Sequence, residues 1–92
     1  MRYAKKRKSR IVHAWVLGAG SETERRLIGE DTILREQDGR YRLFSLEAVN
    51  GVGELAEPGD YFKVEEVEGR HYPYPNDREW FIENHRPLGG CV

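Results

Sequence analysis

Turn chemistry cuts this chain into short pieces, and that limits what it can fold into more than any other feature. Glu57-Pro58-Gly59-Asp60 is built to reverse direction, since proline fixes the backbone at the second position of a type II turn and glycine accepts the third. Pro58-Gly59-Asp60-Tyr61-Phe62 therefore reads as a tight turn feeding a strand. Further on, Tyr72-Pro73-Tyr74-Pro75-Asn76-Asp77 reads as a proline-limited strand end leading into a short helix. The 10 glycines and 4 prolines fall between patterned segments, which favours short elements over long helices.

A chain of 92 residues fits one domain. At this size only roughly 60–65% of the unfolded surface is removed from water. With 38% hydrophobic residues, the ten aromatic side chains must supply much of the core. No apolar run approaches the ~20 residues of a membrane helix. The basic N-terminus lacks the apolar stretch of a secretory signal. Cys91 is the single cysteine and cannot staple the domain internally. The expectation is a cytoplasmic protein with no membrane partner.

Residues 1–10 carry six bases and no acid, while the rest of the chain holds nine bases against sixteen acids, a net charge of −7. The expected organisation is a basic arm over residues 1–9, a single domain over 10–87 and a flexible tail over 88–92.

The pattern along the domain predicts a small α+β fold. Residues 10–17 are apolar on both faces, as for a strand central in its sheet. Ser21 and Glu24 form a capping box for a short helix at about 22–28, with Gly29 as its left-handed terminator. Asp38-Gly39 predicts a two-residue hairpin that sets Leu34 opposite Leu43 and Ile33 opposite Phe44. Residues 45–57 read as a helical turn followed by loop. Residues 61–67 and 70–74 form strands joined at Glu68-Gly69, and Pro73 puts the second at a sheet edge. Asn76 caps a helix over 77–85, with Trp80, Phe81 and His85 as its packing face. The predicted fold is a mostly antiparallel sheet of four or five strands with this C-terminal helix packed on it.

Tyr3 with Lys5-Lys6-Arg7-Lys8, the apolar run Ile11–Leu17, Pro58–Phe62, Glu68-Gly69, Tyr72-Pro73 and Trp80-Phe81 occur in an order that resembles a family of small bacterial and bacteriophage proteins named for a PGDYG motif. Phe62 stands where the motif ends in glycine, which implies a buried or paired position. The resemblance implies a small accessory protein of phage or mobile-element origin, with no activity to carry over.

The residues offer no catalytic set. Gly18-x-Gly20 lacks the remaining glycine of a dinucleotide loop, and Glu22 and Glu24 would repel a phosphate, so a plain loop is expected. His13, His71 and His85 show no metal-ligand spacing, and no metal or cofactor is expected. A two-residue turn at Glu68-Gly69 would set Glu66 opposite His71 as a surface ion pair, with a proton-transfer role as the alternative. Ser9, Ser21 and Ser45 have plain readings as arm, cap and strand end.

Two sets of residues remain as binding candidates. Tyr61, Tyr72, Tyr74 and Trp80 could form an interface, or could complete an aromatic core. Lys5, Lys6, Arg7 and Lys8 could contact nucleic-acid phosphates, with the arm lying beside Arg35, Arg40 and Arg42, or could pair with the acidic body. The expected function is non-enzymatic accessory binding to a protein partner or to itself, possible through an unpaired strand edge. The alternatives are a nucleic-acid binder using the arm, and a small-molecule binder or enzyme with a His/carboxylate site.

Overall fold

The structure, a computed structural model, describes residues 2–6, 11–48 and 51–88. Nine strands and two helices form among them: β1 (Arg2–Lys5), β2 (Ile11–His13), β3 (Trp15–Val16), α1 (Glu22–Gly29), β4 (Ile33–Arg35), β5 (Tyr41–Leu43), β6 (Glu54–Ala56), β7 (Tyr61–Val67), β8 (Arg70–Asn76), α2 (Arg78–Asn84) and β9 (His85–Pro87). The α+β class is as expected, but the sheet is not single. Three antiparallel three-stranded sheets form, in the orders β2-β1-β9, β3-β7-β8 and β4-β5-β6. Nor is the helix the last element, since β9 follows it.

The run 10–17 divides because its two ends serve different sheets. Ala14, fully buried between β2 and β3, marks the passage, and Ile11 and His13 are exposed on a sheet edge. Part of the expected arm is also sheet. Arg2–Lys5 is a middle strand with Tyr3 and Ala4 buried, and the Lys6 N–H donates to the Asn84 carbonyl at 3.1 Å. Arg7, Lys8, Ser9 and residues 89–92, which include Cys91, lie outside the described residues. At the other end Leu88 is held by its N–H to the Arg2 carbonyl, 3.0 Å.

Both helices start on side-chain caps. The Glu24 N–H donates to Ser21 Oγ at 3.1 Å, as expected; the Glu24 carboxylate turns instead to the Gly18 N–H, 3.0 Å away. The cap of α2 is Asp77, one residue beyond the expected Asn76, and its Oδ2 accepts from the Trp80 N–H. Helix α1 does not end on a left-handed glycine. Asp31 takes that state, φ +63°, while the Asp31 and Thr32 N–H groups bond back to the Ile28 and Leu27 carbonyls, a Schellman closure.

The two hairpins differ in loop length. At Glu68-Gly69 both residues have positive φ, 52° and 81°, giving a two-residue type I′ turn and setting Glu66 opposite His71. At Asp38-Gly39 only the glycine is left-handed, φ +93°. The Gly39 N–H reaches the Glu36 carbonyl, and Glu36 N–H reaches Arg40, so the loop is Gln37-Asp38-Gly39. The expected register moves by one residue: Ile33, not Leu34, faces Leu43. Because side chains alternate along a strand, that shift buries Ile33 and turns Leu34 outward, 37% exposed. The stretch after Ser45 turns as expected, but Glu54–Ala56 then pairs with β5 as a strand.

Two apolar clusters hold the elements. Leu17, Leu27, Ile33, Leu43, Ala56 and Phe62 join α1 to the β3-β7-β8 and β4-β5-β6 sheets. Tyr3, Ala14 and Phe81 join α2 to β1, with Val12 and Tyr61 packed against them. Asp60 links the Pro58-Gly59 turn to α2: its carboxylate accepts from the Glu57 and Arg78 N–H groups at 2.9 and 3.0 Å. Phe62 is wholly buried and stacks on Trp15.

Candidate protein-binding surface

The four aromatic candidates do not share one environment. Tyr61 stacks on Phe81 at 4.2 Å, and Phe81 stacks in turn on His85 at 4.0 Å, with Tyr3 edge-on to both Tyr61 and Phe81. Tyr61 is thus part of the packing around α2. Burial, then the neighbouring Tyr61, pushes the Tyr3 phenol up to about 12. Tyr72 and Tyr74 share a face of β8 and are half-buried; the Tyr74 hydroxyl donates to Glu65, which raises its pKa above the ordinary value. Trp80 is half exposed, because Phe81 and His85 take the inward face of the helix end in its place.

The histidines stand in three separate settings. His13 is exposed on β2. The His85 ring is buried, donates from Nδ1 to the Phe81 carbonyl at 3.1 Å and leaves Nε2 without a hydrogen bond. Burial, and then Lys63 and Lys5, hold its pKa below the ordinary value. His71 faces Glu66 across the hairpin, 4.0 Å from Nε2, but Glu30 is the nearer partner. Glu30 accepts from the His71 N–H at 3.0 Å and from Nδ1 at 2.9 Å, and these bonds hold its carboxyl below the usual range.

That clasp falls at a telling position on β8. In a two-residue hairpin the turn-flanking pair, Val67 and Arg70, is hydrogen-bonded, and bonding alternates from there. His71, Pro73 and Pro75 are therefore the residues whose amide positions point away from β7. Two of the three have no N–H, and the third is taken by Glu30. The acid and imidazole tie α1 to a sheet edge. Among the described residues no group of three or more His, Cys, Asp or Glu could hold a metal ion, and no helix is long and apolar enough to cross a membrane.

The basic residues are also divided. Lys5 lies in β1, opposite His85, whereas Arg35 and Arg42 belong to the β4-β5-β6 sheet. Arg40 is paired with Asp38 and Arg42 with Glu36. Gly18, the first glycine of Gly18-x-Gly20, already gives its N–H to buried Glu24.

The outer face of the β4-β5-β6 sheet is different in kind. Register places Leu34, Arg42 and Leu55 in one cross-strand row. Leu34 and Leu55 are 37% and 41% exposed. Between them the Arg42 guanidinium bonds Glu36 and the carbonyl of Val52, itself a largely exposed apolar residue. A paired arginine between two exposed leucines sets apolar side chains on either side of one neutralised charge. On the α1 side of Leu34 lies a cleft of about 310 Å³. A second, of about 390 Å³, meets it at Asp31 and Leu34 and extends to Phe44 and Arg70. None of Leu34, Leu55 and Val52 was a binding candidate from sequence. A signal existed for Leu34: a three-residue loop at Asp38-Gly39 turns it outward.

Compared with known proteins, the chain matches no family model, no curated protein and no solved structure.

Proposed function

We propose that this chain is a small non-enzymatic accessory protein that binds a protein partner through the outer face of the β4-β5-β6 sheet. The observation that carries this is the Leu34–Arg42–Leu55 row with Val52 beside it. Exposed apolar side chains scattered singly are ordinary, as Ile11 on β2 and Ile82 on α2 are here. Apolar side chains placed as neighbours, with their one central charge already neutralised, lower the desolvation cost of a partner settling on them. The order of motifs that resembles the PGDYG family supports an accessory role of phage or mobile-element origin.

The test is site-specific photocrosslinking in cells that carry the native gene. A photoreactive side chain at position 55 should capture a discrete protein adduct, and the same group at position 82 should not. Leu34→Asp should remove the adduct. Equal labelling at both positions, or none at position 55, would end this reading.

A further inference from the structure

We infer that the paired cleft beside Leu34 receives an extended acidic peptide segment of the partner, anchored by one apolar side chain. This rests on the protein-binding reading above and names the chemistry of what binds. The cleft is assembled from three places in the chain. Helix α1 contributes Arg25 and Ile28, β4 contributes Leu34 and Arg35, and the remaining side holds Phe44 and Arg70.

Its charge is unlike that of the molecule around it. Beyond residue 10 acids outnumber bases by sixteen to nine, yet three arginines line the cleft and Asp31 is the single acid that does. The arginines of the neighbouring hairpin tip, Arg40 and Arg42, are neutralised by Asp38 and Glu36. Arg25 and Arg35 form no ion pair with any described residue. Arg70 gives one donor, at 3.2 Å, to the Glu30 carbonyl and keeps others. A guanidinium has five N–H donors in a fork that fits a carboxylate. Ile28, Leu34 and Phe44 supply an apolar floor between these forks.

The two spaces, about 310 and 390 Å³, meet at Leu34, which suits an extended chain passing over it better than a folded domain. A nucleic-acid strand fits less well, because the surrounding net charge of −7 opposes a continuous polyanion. Acids separated by apolar side chains match the spacing of forks and floor.

The probe is a fluorescein-labelled octapeptide, Glu-Asp-Glu-Leu-Phe-Glu-Asp-Glu, titrated with the full chain and followed by anisotropy. Saturable binding is expected, weakened about fivefold by Arg25→Ala or by Arg35→Ala. Leu34→Asp should abolish it, and Trp80→Ala should leave it unchanged. Replacing the peptide acids by lysine, or Leu-Phe by Gly-Gly, should remove binding. No saturation at millimolar protein, indifference to Leu34→Asp, or tighter binding of an eight-nucleotide thymidine strand would overturn the proposal. So would self-association that Arg35→Ala abolishes, since the occupant would then be a second copy. A peptide that fails while position 55 still captures a partner refutes the acidic ligand alone. Failure of both removes the protein-binding reading as well.

Discussion

Asp31 holds φ at +63°, a left-handed state that costs an L-residue about 1–2 kcal/mol and glycine almost nothing. Asp31→Gly should therefore raise stability by about 0.5–1 kcal/mol, seen as a melting temperature higher by a few degrees. A fall would mean that the aspartate side chain holds the turn in some other way. Gly53 makes the reverse case. It sits at φ +75°, and a Cβ there would lie 2.9 Å from Arg42 Cγ and 3.0 Å from the Leu43 carbonyl oxygen. Gly53→Ala should destabilise by roughly 2 kcal/mol or more, since the backbone strain and the clash with a main-chain atom act together. An unchanged urea midpoint would contradict that. Neither position was legible in the sequence. Gly29 looked like the helix terminator, but the chain places the left-handed residue two positions later, where Thr32 can still return its N–H to Leu27.

At the scale of elements, two fastenings titrate. Glu30 joins α1 to β8 through both His71 donors. Its folded pKa lies below the ordinary value of 4.5, so its share of stability is complete above that pH and is lost as pH falls through the folded value. Glu30→Gln should lessen the acid-induced loss of stability below about pH 4.5, measured by urea unfolding at pH 7 and pH 3. His85 joins α2 to β1 and works in a different window. Burial lowers its pKa, so the unfolded chain takes up the proton first; stability is complete above about 6.5 and declines below it. His85→Phe, which keeps a ring on Phe81, should flatten the stability profile between pH 7 and 5. A profile as steep as that of the parent would show that another group controls it. The hairpins show how far element geometry can be read from residues alone. Glu68-Gly69 fixed its register correctly because both residues entered the left-handed region. Asp38 stayed out of it, with its carboxylate bonded to Arg40, and one added loop residue moved every side chain of β4.

On the scale of the molecule, Phe62 lies where α1 and two sheets meet. Phe62→Ala should cost about 3–5 kcal/mol, a large part of the stability of a domain this small, whereas Trp80→Ala should cost under about 1 kcal/mol. Similar losses for both would mean that Trp80 is buried in solution. The fold class, the two helices and the β7–β8 pairing were legible because each follows from neighbours in sequence. The middle strand β1 was not, since the six bases among the first ten residues overshadowed Tyr3 and Ala4, and its partner β9 lies at the far end of the chain. The cleft was hidden for the same reason: Arg25, Arg35 and Arg70 meet only after three segments have packed.

Along Pro73, Pro75 and the clasped His71 a passing strand would find only carbonyl acceptors. However crowded the surroundings, neighbouring copies have no main-chain donors there to knit onto.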